Sequence, residues 1–361
     1  MRAVWGTVVE VAEQREGLQR LVVTLDDGSA GVAVCYTALS GAVAAGERVV
    51  LNTTAVDLAL GTGGIHFVVA RAGSDTPSPT GAVVDRPSAG HIMKLRYTPM
   101  QLGVLCDEAQ ESQYHERLAS AVDVDGMPVV CCGLHSQIPL VAAAIKHEAP
   151  SARLAYVMTD GAALPFALSD LVPACVAAGL LDTCVTCGQA FGGEHEAVTV
   201  HSGLLIARHV AACDAAIVAI GPGVVGTGTP FGHGGVAQGE ALNAAASVGG
   251  VPVAVLRLSF ADERPRHRGV SHHSITALGR VALAPSRVAV PALPPEQAAL
   301  LEGALADARV WERHVRADVE PRPLPNMRGV RVRTMGRGPD DDPAFFSAAA
   351  AGGTVAGRIL S

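Results

Sequence analysis

The sequence predicts an α/β protein with a small antiparallel β-barrel at its N-terminus, followed by a mostly parallel, layered α/β domain. Three observations carry that prediction. Apolar and polar positions alternate along the first 72 residues or so, and from His91 onward strand-length apolar runs alternate with helix-length segments. The composition is 49% hydrophobic but only 4% aromatic. An interior rich in Ala, Val, Leu and Gly suits stacked strands and helices, because small residues let the layers approach closely. A chain of 361 residues also exceeds the roughly 250–300 residues at which single cores stop growing, so more than one domain is expected.

In the barrel, alternation runs through Thr7 to Val11, Leu21 to Leu25, Gly31 to Val34 and Arg48 to Leu51. Turn signals separate these runs, notably Asp26-Asp27-Gly28-Ser29, and short strands at this spacing suit a small barrel. The glycine-rich stretch Leu60 to Gly64 precedes one more strand, Ile65 to Ala70. A Gly, Ser, Thr and Pro-rich segment then marks a boundary. The domains read as a barrel over 1–75, a linker over 76–90, an α/β domain over 91–290 and a C-terminal extension over 291–361 packed on it.

In the α/β domain, strands are expected near Pro128 to Cys132, Arg153 to Thr159, Thr183 to Thr186, Ala215 to Ile220, Val251 to Leu258 and Arg280 to Leu283. Helices are expected near Gln113 to Val122, Ile138 to His147, Phe166 to Ala178, Ser202 to Ala211 and Ala237 to Val248. The Pro-rich part beyond about 286 looks peripheral, with one helix from Pro295 to Val315 and a tail that is a docking helix or loose.

Several function classes lose support at once. No apolar run reaches the roughly 18 residues of a membrane span, and the N-terminus lacks the pattern of a signal peptide, so a cytoplasmic protein with no membrane partner is expected. Eight cysteines, several within apolar strands, suit reduced buried thiols better than a disulfide framework. Net charge is −7, and the five arginines of the barrel segment are outnumbered by its acids, which argues against nucleic acid. The high apolar content makes a homodimer reasonable. Cys184 and Cys187 form C-x-x-C without a second pair, and on a strand their sulfurs face opposite ways. The nucleophile elbow, H-E-x-x-H and Walker patterns are absent.

Ligands of parallel sheets sit beyond the carboxyl ends of the strands. Those ends bring together Gly133 to Gln137, Thr159 to Gly161, Gly188 to Gly193, Gly221 to Thr229, and Arg257 with Ser259 and Asp262. The segment GPGVVGTGTPFGHGGVAQGEA directly follows the apolar run Ala215 to Ile220. Such a strand-to-glycine turn lets backbone N–H groups converge on an anion. Gly221, Gly223, Gly226, Thr227, Gly228 and Thr229 are the ligand-binding candidates there, beside the reading of a purely structural loop. G-x-G-x-x-G is satisfied formally, yet Pro222 sits in the turn and no acid ends the next strand before Asp262, which disfavours a dinucleotide.

The segment RPRHRGVSHHS, Arg264 to Ser274, packs three arginines and three histidines into eleven residues and is expected to face the glycine-rich loop. Arg257 and Arg268 are candidates to neutralise an anion. Asp160, His135 and His272 are the candidates for proton handling, with capping or packing as their structural alternatives. His267 approaches His272 if the chain turns at Gly269, but no carboxylate has ligand spacing around the cluster, so no metal is predicted. No cofactor is indicated.

The motifs GLHSQ, MTDGAALP, GQAFGG, GPGVVGTGT, QGEALNA, SFADERPRHRGVSHHS and LNTTAVDLALGTGGIHFVVA resemble those of an uncharacterised bacterial family, a domain of unknown function frequent in Gram-positive bacteria. That resemblance covers most of the chain and implies no reaction, ligand or catalytic residue. On the residues alone, the expected function is an enzyme, a hydrolase or group transferase, acting on a small anionic, nucleotide-like metabolite. The alternative is a non-catalytic metabolite-binding sensor or scaffold.

Overall fold

The computed structural model describes residues 2–57, 64–72, 90–98 and 100–361. The chain forms two compact units divided between Val104 and Leu105. Most of the expected linker and the expected turn over 60–63 lie outside the described residues.

The first unit holds β1 (Ala3–Arg15), β2 (Leu18–Leu25), β3 (Ala30–Tyr36), the turn α1 (Thr37–Ser40), β4 (Arg48–Asn52), the turn α2 (Thr54–Asp57) and β5 (Ile65–Arg71). The strands close into a barrel in the order β1-β2-β3-β5-β4, a five-stranded Greek-key arrangement. Val8, Leu21, Val23, Ala33, Val49 and Leu51 fill its interior, the inward half of each alternating run. The barrel is not wholly antiparallel, because β3 pairs with β5 in parallel. Strand β4 closes the barrel on β1, and β5 must fill the remaining gap between β3 and β4. A short hairpin, β6 (Ile92–Lys94) with β7 (Leu102–Val104), completes this unit.

The second unit runs through α3 (His115–Ser120), β8 (Pro128–Cys131), α4 (Ile138–Glu148), β9 (Leu154–Thr159), α5 (Leu171–Ala177), β10 (Thr183–Cys187), β11 (His195–Ala197), α6 (Val200–His209), β12 (Ala215–Ile220) and α7 (Val236–Ser247). It continues with β13 (Val251–Val255), β14 (Leu258–Ser259), β15 (Gly269–Val270), α8 (His272–Thr276), β16 (Arg287–Pro291), α9 (Pro295–Asp307), β17 (Val315–Val319) and α10 (Pro343–Leu360). Eight strands form one sheet in the order β11-β10-β9-β12-β8-β13-β16-β17, and every neighbouring pair in it is parallel. Alternate residues serve opposite faces. Leu154, Tyr156 and Met158 of β9 pack with α4, α5 and α10, while Ala155 and Val157 pack toward α6 and α7.

Further expectations change. The run Arg280 to Leu283 is not a strand: α8 continues into a π-helical turn, Ala277–Val281. Asn243 on α7 holds that irregular backbone, donating to the Val281 carbonyl and accepting from the N–H groups of Leu283 and Ala284. The strand expected over Val251 to Leu258 ends at Val255, and Leu258–Ser259 pairs instead with Gly269–Val270. The helix expected over Phe166 to Ala178 splits into a 3₁₀ turn (Phe166–Leu168) and α5. The chain beyond 286 is not peripheral, since it supplies β16 and β17 to the sheet and the buried helix α10. A cross-sheet strand of five residues carries too little periodicity to stand out beside prolines.

The chain leaves β8 for β9 in one direction along the sheet and leaves β12 for β13 in the other, so the order reverses between the neighbours β12 and β8. Such a reversal opens a crevice at the strand ends. Two buried amides seal its floor. Gln238 Nε2 donates to the carbonyls of Cys131 and Val255 at 2.8 and 2.6 Å, and Gln137 Nε2 donates to the Leu256 carbonyl at 3.0 Å.

Candidate functional site

Above that floor, the glycine-rich loop leaving β12 meets the segment that follows β13. The loop folds back on itself through a bridge between Gly226 and His233. Gly223 and Gly228, with φ of 88° and 80°, supply left-handed turns that β-carbons disfavour. Thr227 and Thr229 stabilise this fold-back rather than presenting free hydroxyls. Thr227 Oγ1 lies 2.9 Å from Thr229 Oγ1 and donates to the Gly232 carbonyl, while Gly232 N–H donates to Thr229 Oγ1. Gly221 permits close packing, because a β-carbon there would lie 2.5 Å from the Met158 methyl and 2.6 Å from the Ala163 carbonyl.

The loop and the histidine-rich segment do face one another. His233 stacks on His273 with ring centroids 3.9 Å apart and planes 3° from parallel. His272 packs edge-on against both, at 4.9 and 4.5 Å, and His267 lies 5.0 Å from each of His272 and His273. Gly269, at φ 74°, provides the turn between His267 and this helix. Ser271 caps α8 by accepting from His273 N–H and also meets His267 Nδ1 at 2.8 Å. Thr276 Oγ1 donates to the Pro230 carbonyl at 2.8 Å, tying α8 to the loop.

Arg257, at the end of β13, is 5% exposed. Its Nη1 donates to His273 Nδ1 at 3.0 Å, and no carboxylate pairs with it among the described residues. Burial first, then the neighbouring Arg264, lowers its pKa to about 10, so it remains charged at neutral pH. The nearby carboxylates are engaged elsewhere. Asp262 accepts from the backbone, Nε and Nη2 of Arg264 and from Arg337 Nη2. Asp342 accepts from Ser259 Oγ and Arg337 Nε. Arg266 and Arg268 are exposed.

Burial and then Arg257 push His273 down to about 2 and His267 down to about 3. Burial likewise lowers His233 and His272. The four rings are therefore neutral at pH 7, with His273 Nδ1 already meeting Arg257 and His267 Nδ1 meeting Ser271 Oγ. His233 holds its proton on Nε2, which donates to the Pro230 carbonyl at 2.9 Å, and its Nδ1 is buried with no hydrogen-bond partner. His272 is partly exposed and makes no hydrogen bond among the described residues. It is the imidazole most open to a ligand.

Two sequence candidates bond to other elements than these rings. Asp160 is exposed and accepts from Gln189 N–H at 2.9 Å, which ties the end of β9 to the end of β10. His135 packs edge-on against Tyr156, on the α4 side of the sheet, with Nε2 2.8 Å from Ser169 Oγ and Nδ1 3.3 Å from the Tyr156 hydroxyl. His233, Arg337 and Asp342 are members of the site that the sequence reading passed over. His233 lay in plain view within the glycine-rich segment, whereas Arg337 and Asp342 reach the site only through the placement of α10. The C-x-x-C sulfurs do face opposite ways, Cys184 into one core layer and Cys187 into the other.

The fold and site define a two-unit protein, a Greek-key barrel joined to a doubly wound α/β unit that carries a histidine and arginine cluster at its strand ends. The chain belongs to the DUF3866 family of proteins of unknown function, whose profile matches residues 32–353. No curated protein and no solved structure matches it.

Proposed function

We propose that the α/β unit is a cytoplasmic hydrolase or group transferase whose substrate is a small anionic, nucleotide-like metabolite. The observation that carries this reading is Arg257, a buried guanidinium that meets a neutral histidine where a carboxylate would be expected. A buried charge is costly unless compensated, and an anionic ligand supplies the compensation. In this reading Arg257 anchors the oxyanion, the loop from Gly221 to Gly235 walls the site, and His272 presents its lone pair to the ligand. Exposed Arg268 adds long-range attraction. Neutral histidines beside a fixed cation suit hydrolysis or transfer better than hydride chemistry. Eight buried free cysteines fit a reducing compartment, and no helix among the described residues is long and apolar enough to cross a membrane.

One observation favours a non-catalytic sensor: both carboxylates of the site, Asp262 and Asp342, are already held by arginines. Thermal-shift screening against inorganic phosphate, nucleotides and sugar phosphates tests the binding. A ligand at 100 times its Kd stabilises by about 2.7 kcal/mol. Turnover of the stabilising compound, abolished by His272→Ala, separates enzyme from sensor. If none of these anions stabilises the protein, the reading fails.

A further inference from the structure

His233 from the glycine-rich loop and His272 and His273 from α8 each place a ring nitrogen within 4.8 Å of the others. We propose that these three histidines bind a divalent transition-metal ion, of the zinc class, which takes the anion of the preceding section as a further ligand. The anion's part rests on that reading, while the ion goes beyond it.

The donor set selects the metal. Three imidazoles with no carboxylate suit zinc, cobalt, nickel or copper and offer little to magnesium or calcium. Three protein ligands also leave an open position for water or substrate. The outer shell fits as well. Ligating histidines characteristically donate their second N–H to a carbonyl, which fixes the tautomer and aims the lone pair. His233 does this through the Pro230 carbonyl, and its Nδ1 is left buried and unpartnered.

A glycine beside the rings keeps the space open. A β-carbon on Gly235 would lie 2.9 Å from His273 Nδ1 and 3.0 Å from His233 Nδ1, so any larger residue would crowd both atoms.

Loading the ion requires two local adjustments. The lone pairs of the parallel His233 and His273 rings run side by side, so one ring turns about its Cβ–Cγ bond to converge on the ion. Tetrahedral zinc–nitrogen bonds bring ligand nitrogens to about 3.4 Å of one another. Arg257, whose Nη1 holds His273 Nδ1 at 3.0 Å, passes to the anion, which balances the charge of guanidinium and ion together. Ion and anion therefore bind cooperatively.

The test uses the full-length protein, stripped with a chelator and titrated with Zn²⁺ and Co²⁺ by calorimetry and visible absorption. One equivalent and the intense absorption of four-coordinate cobalt are expected. Affinity should fall by at least about tenfold in His272→Ala and in His233→Ala, with circular dichroism unchanged. His272 makes no hydrogen bond among the described residues, so its variant decides the matter even if His233→Ala fails to fold. Absent saturable binding, or binding that His272→Ala retains in full, overturns the site. Inorganic phosphate that binds equally well in excess chelator and is lost in Arg257→Ala overturns the ion's role as its receptor and leaves the anion site standing. Metal binding with no phosphate binding in any condition supports the three-histidine site and sinks the anion reading.

Discussion

Arg257 and His273 are joined by a hydrogen bond from guanidinium Nη1 to imidazole Nδ1, 3.0 Å long, at the end of β13. A neutral ring accepts the bond but cannot cancel the charge. In Arg257→Ala, the melting temperature without ligand should therefore hold or rise, because an uncompensated buried cation has been removed. The gain of about 2.7 kcal/mol from an anion at 100 times its Kd should vanish. Differential scanning calorimetry with and without phosphate measures both, and a loss above about 3 kcal/mol without ligand would show that the guanidinium is structural.

His135 gives the native state a proton debt. Burial lowers its pKa from 6.5 to about 4, so below pH 6.5 the unfolded chain takes up a proton that the folded chain refuses. Its stabilising contribution is present above pH 6.5 and is lost as pH falls toward about 4. The ring is half-buried, and a loss on the order of 1 kcal/mol by pH 5 is expected. His135→Gln should flatten this part of the pH dependence in urea melts. An NMR titration of the wild-type ring with a midpoint near 6.5 would refute the assignment.

His195 behaves oppositely. Its Nδ1 lies 2.6 Å from Asp107 Oδ2, and the hydrogen bond to that carboxylate raises its pKa against the effect of burial. The stabilisation is complete below the unfolded value of 6.5 and disappears as pH rises through the higher folded value. Asp107→Asn should cost about 1.5–3 kcal/mol at pH 6 and progressively less in alkaline buffer. A cost that does not depend on pH would mean that the pair is not ionised.

Gly353 sits inside α10, where alanine would normally strengthen a helix by about 1 kcal/mol. Here a β-carbon would lie 2.2 Å from the Val141 carbonyl and 2.7 Å from Ala144 Cβ of α4. Gly353→Ala should thus destabilise the α/β unit by about 1–3 kcal/mol through overpacking. Denaturant midpoints provide the measurement, and a stabilised variant would show that α10 does not press on α4 as described.

Much of the architecture was legible from local pattern. Ala215 to Ile220 is a strand over the residues its apolar run implied, and α4 and α7 begin within a residue of their expected starts. Runs of this kind report burial on both faces, which depends little on what else the chain does. The same reasoning failed at Arg280 to Leu283, where alternation mimics a strand while Asn243 holds a π-helical turn. It also could not tell which strand-end residues would meet. Asp160 bonds to Gln189 beside β10 and His135 to Ser169 and Tyr156, because side-chain direction at a strand end depends on the loops packed above it.

Local periodicity and turn chemistry were thus enough to specify barrel, layered sheet, glycine-rich loop and histidine-rich segment. Packing in three dimensions alone set His233 upon His273, brought Arg337 and Asp342 to the site from beyond β17, and set Arg257 against an imidazole. Secondary structure follows from neighbours a few residues apart, whereas these contacts join residues tens of positions apart, and their chemistry exists only once the sheet has ordered its strands.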